Sequence, residues 1–148
     1  MPTHYKGTDE QINTLNAFIK LMRASETVNN RLSRKLAKAN LTVSQFGVLE
    51  ALYHLGPQNQ KRLGEKILKS GGNITLVIDN LVKNNLVVRN QNPLDRRAVI
   101  IDLTKEGKKY IKKIFPQHLK SIIEEFSVLS EKDKKDLARI CKKLGVKE

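Results

Sequence analysis

Some side chains in this sequence are spaced for chemistry, and the chemistry they suit is recognition by hydrogen bonding and charge. Ser70, Gly71, Gly72, Asn73, Thr75 and Leu76 begin a stretch in which Ile74, Val77, Ile78, Leu81 and Val82 recur at helical spacing, so one side of that helix faces a core. The other side is small and polar. Such an N-terminal end can seat in a groove about 12 Å wide and offer hydroxyl and amide groups to base edges. Further along, Arg96 and Arg97 stand at a polar tip, where an extended guanidinium can enter a narrow, strongly negative minor groove that excludes a helix. Asp95 is placed to orient one of them through paired hydrogen bonds. A nucleophile with a base partner, paired carboxylates at catalytic spacing and a complete phosphate-binding loop are all missing from the pattern, and Gly71-Gly72 fits no Walker motif. Neither catalysis nor a cofactor is expected.

These groups need a frame, and the flanking sequence supplies one. Val87-Val88-Arg89 and residues 99–103 are β-branched runs on either side of residues 90–97, which predicts a hairpin with a long polar tip. Residues 59–69 predict a short helix that buries Leu63, Ile67 and Leu68 and turns Lys61, Arg62, Glu65, Lys66 and Lys69 outward. A turn at Ser70-Gly71-Gly72 then makes a helix-turn-helix, in which the second helix enters the groove. Asn84-Asn85 closes that helix, since asparagine tolerates the left-handed conformation. Upstream, Thr42 and Gln45 form a capping box with Leu41 stapled to Phe46. The helix they open is apolar nearly all round, through Phe46, Val48, Leu49, Leu52, Tyr53 and Leu55, and ends at Gly56-Pro57.

Longer helices flank this unit. Thr8 and Gln11 form a capping box, and Leu21, Ser25, Val28, Leu32 and Leu36 follow as one stripe that Leu15, Ile19 and Met22 widen. A second copy of the chain or the core of a monomer could cover so wide a surface. After the cap Thr104, an apolar face runs from Tyr110 to Phe126, with Pro116 placed to bend or interrupt it. Ser130 opens a last helix with Leu137, Ile140, Cys141 and Leu144 in one stripe ended by Gly145.

With 148 residues, 39% of them apolar, the chain is long enough to build a real core. The formal charge of +13 favours a polyanionic partner, but it is spread as +4 over residues 1–38, +3 over 39–104 and +6 over 105–148. The stretch with the recognition pattern is the least basic third, so charge alone cannot locate the contact. A single cysteine, the lack of a long apolar run and a polar N-terminus fit a cytoplasmic protein with no membrane association.

The run Asp95-Arg96-Arg97-Ala98-Val99-Ile100-Ile101-Asp102-Leu103-Thr104, followed by Gly107, resembles the wing signature of the multiple-antibiotic-resistance regulator (MarR) family, and helix order extends the likeness over essentially the whole chain. The resemblance implies a mainly α fold with a small β wing: a winged helix-turn-helix over 39–104 between dimerisation helices at 1–38 and 105–148. It further implies a homodimer reading a pseudo-palindromic site in double-stranded DNA, with Arg97 in the minor groove and residues 70–76 against base edges. Leu76 stands where many relatives carry a basic residue, and Gly71-Gly72 where they often have a flexible lysine-containing start. Leu76 is thus left to meet thymine methyls.

The resemblance also implies a repressor released by a small aromatic, phenolic or electrophilic effector bound between lobe and dimerisation helices. Phe18, Met22, Phe46, Tyr53 and His54 are candidates to line such a cleft, or plain core residues. A thiol switch would rest on Cys141, which sits on an apolar stripe and so reads as structural, and relatives that sense peroxide carry their cysteine in the first helix. A metal switch finds His4, His54 and His118 scattered, without close-spaced ligand partners. A sequence-blind architectural DNA binder is the remaining alternative.

Overall fold

The computed structural model describes residues 1–67 and 71–145. Along the chain run α1 (Asp9–Ala37), α2 (Val43–Leu55), β1 (Gln58–Asn59), α3 (Gln60–Lys66), α4 (Gly71–Lys83), β2 (Val87–Asn92), β3 (Asp95–Leu103), α5 (Lys105–Glu125) and α6 (Glu131–Gly145). The expected burial of Leu68 and the turn position Ser70 lie outside the described residues.

Local signals set most boundaries. In α1 the Thr8 hydroxyl accepts from the Gln11 N–H at 3.3 Å while the Gln11 side chain accepts from the Thr8 N–H at 3.0 Å. The same reciprocal pair opens α2, between Thr42 and Gln45, at 3.1 and 3.0 Å. Asn59 caps α3, and its side-chain oxygen accepts from the Lys61 N–H at 2.9 Å. Asn85, at φ 58°, ends α4 in the left-handed conformation, and Gly56, at φ 78°, ends α2.

Val48, Leu49, Leu63, Ile78, Leu81 and Ile101 are fully buried and bring α2, α3, α4 and the sheet around one core. Ile111 and Ile114 of α5 and Leu36 of α1 join it. At the junction, Gly107 lies so close to the Leu86 carbonyl that a β-carbon would collide with it, and that carbonyl accepts from the Thr104 N–H at 3.1 Å. The Tyr110 hydroxyl donates to the Ala39 carbonyl.

Several expectations need correction. Gly71 and Gly72 lie in the first turn of α4, not in a preceding turn. The wing ladder extends far into the expected loop: Asn90 pairs with Ile100 and Gln91 with Val99, an irregularity follows at Gln91/Asn92, and only Pro93-Leu94 separate the strands. β3 also pairs with the short β1, Gln58 opposite Ile101 and Asn59 opposite Ile100, giving the order β1-β3-β2. The α5 helix runs on through Pro116 without interruption. Tyr53, Leu55 and Val82, read as facing the core, are exposed, and so is Cys141. No helix among the described residues is long and apolar enough to cross a membrane.

Candidate nucleic-acid interface

The outer side of α4 carries Gly71, Gly72, Asn73, Thr75 and Leu76, all exposed. Beyond the adjacent residues and the helix's own backbone, no described atom lies within 4 Å of where a β-carbon would sit on Gly71 or Gly72, so no packing contact among the described residues requires their smallness. It leaves room for an outside body to approach the helix start. The Thr75 hydroxyl donates to the Gly71 carbonyl at 2.9 Å and accepts from Gln60 Nε2 at 3.2 Å, which leaves it one acceptor position. Leu76 projects an apolar side chain into solvent at 61% exposure, an arrangement that folding alone does not favour.

Across from α4 stands the wing. Arg96 and Arg97 are exposed on the first residues of β3. Asp95 meets Arg97 differently from expectation: its Oδ1 accepts from the Arg97 backbone N–H at 2.9 Å, so it shapes the turn rather than holding a guanidinium. Asn92 acts alike, accepting from the Leu94 N–H at 3.0 Å. A cleft of about 710 Å³ separates α4 from the wing, with Gly71 and Ile74 on one wall, Arg97 and Val99 on another, and Gln60 and Lys61 between them.

Sequence reasoning missed the bonds that join these walls. Arg89 of β2 reaches α4, where its Nη2 lies 2.6 Å from Asp79 Oδ1 and donates to the Thr75 carbonyl at 3.3 Å, while its Nε donates to Gln60 Oε1 at 3.3 Å. Only strand register could have revealed this, because Arg89 reads as one cation in a strand.

A second locus gathers part of the candidate effector lining. Phe46, buried in α2, lies 4.1 Å from the His118 ring and 6.5 Å from Phe115, centroid to centroid, with His54 5.0 Å from Phe115 and Tyr53 5.2 Å from His54. Phe18 and Met22 take no part in these ring contacts and are 60% and 53% exposed on α1. His118 is buried, its Nδ1 has no hydrogen-bond partner among the described residues, and burial lowers its basicity. Beside it a cavity of about 320 Å³ is lined by Leu36, Ala39, Ile114 and Lys38. His54 and His118, which look scattered in sequence, thus meet one aromatic cluster. Among the described residues no group of three or more His, Cys, Asp or Glu side chains could hold a metal ion.

The MarR family model matches residues 41–99. The HTH-type transcriptional regulator MhqR of Bacillus subtilis is 37% identical over 133 residues, which cover 90% of this chain and 92% of that protein. A MarR family transcriptional regulator of Streptomyces coelicolor solved in complex with DNA superposes with a TM-score of 0.85 at 19% identity, over 96% of this chain and 90% of that one. NadR in complex with 4-hydroxyphenylacetate does so at 0.74 and 25% identity, covering all of both chains (100% each).

Proposed function

The chain belongs to the MarR family of DNA-binding transcriptional regulators, and on that premise we propose that it is a homodimeric repressor released from its operator by a small aromatic or electrophilic effector. Each lobe sets Gly71, Gly72, Asn73, Thr75 and Leu76 against base edges in the major groove while Arg97 enters the adjoining minor groove. The observation that carries this reading is the open start of α4 facing exposed Arg97 across a single cleft. Residues 1–38 and 105–148 pair the two copies, which places the lobes on half-sites about 34–36 Å apart.

Release follows if an effector prefers a lobe spacing that misfits those half-sites. The candidates to meet it are Phe46, Tyr53 and His54, which pack with Phe115 and His118 where α2 of the lobe meets α5, and His118 also borders the neighbouring cavity. NadR bound to 4-hydroxyphenylacetate supports a phenolic class of ligand. Phe18 and Met22, exposed on α1, are the further candidates to meet the effector.

The test is gel-shift binding to the DNA upstream of the protein's own gene, against a scrambled duplex at fixed salt, followed by titration with phenols and quinones. Preference for the upstream DNA and release by one of these classes are expected. Arg97→Ala should weaken operator binding by about ten- to a hundredfold at an unchanged melting temperature. Wild-type affinity in that variant would remove the wing from the mechanism, and equal binding to both duplexes would indicate a sequence-blind architectural protein.

A further inference from the structure

Asp79 is a puzzle for a DNA-reading helix. It lies one turn beyond Thr75 on the exposed side of α4 and carries negative charge where a polyanion is to dock. Its partner is Arg89 of β2, at 2.6 Å, with side chains 51% and 32% exposed respectively. Ion pairs so open to water add little to folding stability. Stability therefore does not explain the arrangement.

Geometry does. Arg89 Nε and Nη2 are committed to Gln60 of α3, the Thr75 carbonyl and Asp79 of α4, and Gln60 Nε2 closes the ring by donating to the Thr75 hydroxyl at 3.2 Å. A single guanidinium thus ties the wing to both helices of the helix-turn-helix. Because the α4 start and Arg97 must enter neighbouring grooves together, their separation has to be set before binding, or ordering them will cost affinity on the correct site. We propose that Arg89 is a positioning residue for sequence recognition, fixing wing to recognition helix through Asp79 and Gln60, and that Asp79 occupies this DNA-facing helix in order to hold it. This inference rests on the DNA-reading role of α4 and Arg97 proposed above.

The test uses the full-length protein and an operator selected by the wild type from a random duplex pool. Affinities for operator and scrambled duplex are measured over a salt series. Asp79→Asn removes a repulsive charge, so scrambled-duplex affinity should hold or rise while the operator-to-scrambled ratio falls about tenfold, the size of one lost base-pair contact. Arg89→Lys keeps the charge and loses the fork, and should lower the same ratio. The double variant Asp79→Asn/Arg89→Gln removes one charge of each sign, so its salt slope should match the wild type, whereas loss of a phosphate contact would reduce the slope by about 0.9. Melting temperatures check folding, and if the Arg89 variants fail to fold, Asp79→Asn decides alone. A ratio kept in Asp79→Asn or Arg89→Lys, or a reduced slope in the double variant, would overturn the positioning role while leaving the DNA-reading role intact. A wild type that selects no sequence would overturn both.

Discussion

In the winged lobe Val48, Leu49, Leu63, Ile78, Leu81 and Ile101 have at most trace contact with solvent, whereas on the flanking helices Phe18, Met22, Leu119, Ile123, Leu137, Ile140 and Leu144 are 39–60% exposed. Both regions are amphipathic by pattern. The lobe supplies most of the shared core, to which α1 and α5 add only Leu36, Ile111 and Ile114, while no residue of α6 is buried at all. An apolar surface left open on this scale marks an interaction face. The lobe builds a core of its own, and the flanking helices leave open the apolar surface on which the proposed second copy would pack.

The comparison breaks most visibly on the open side. Ile123→Glu combined with Ile140→Glu places charge on the exposed faces of α5 and α6, and is expected to give monomers and to cost operator affinity about a hundredfold or more through loss of the second attachment. Sedimentation velocity and anisotropy titration read the two effects. An unchanged dimer would place pairing elsewhere.

Next in size is the seam between the regions. Gly107→Ala would drive a methyl group into the Leu86 carbonyl where α5 leaves the wing, and about 2–4 kcal/mol of stability should be lost, measured by urea unfolding. Stability equal to the wild type would mean that α5 can shift on the lobe freely.

His118, packed on Phe46 at the same seam, sharpens the contrast by a smaller amount. Burial lowers its pKa from the ordinary 6.5, so the folded state favours the neutral ring. Above pH 6.5 the ring is mostly neutral in both states and its contribution is complete. As pH falls from 6.5 toward the lower folded value, the unfolded chain takes up the proton first and stability is lost. His118→Leu should flatten unfolding stability over that interval, and an unaltered pH profile would contradict the burial effect.

The sequence makes the local signals legible and leaves the pairings hidden. Thr8 with Gln11, Thr42 with Gln45, and Asn85 act within a turn of their own position, so residue types suffice to place them. β1 is two polar residues whose strand character comes wholly from pairing with Ile100 and Ile101. The wing ladder likewise captures Asn90 and Gln91, residues with turn-like composition, because β3 offers them partners. Pro116 breaks a local rule inside a helix that packs against both α1 and α2, so tertiary contact overrides it. In the site, exposure of Leu76 and Arg97 follows from pattern, while the Arg89 bonds depend on strand register and on side-chain reach, neither of which is written in spacing.

The most direct test of a lobe used in pairs is selection of binding sites by the full-length protein from a random duplex pool. The account predicts an enriched inverted repeat whose half-site centres lie about one helical turn, 10–10.5 base pairs, apart. Enrichment of a single unrepeated half-site, or of no sequence, would contradict it.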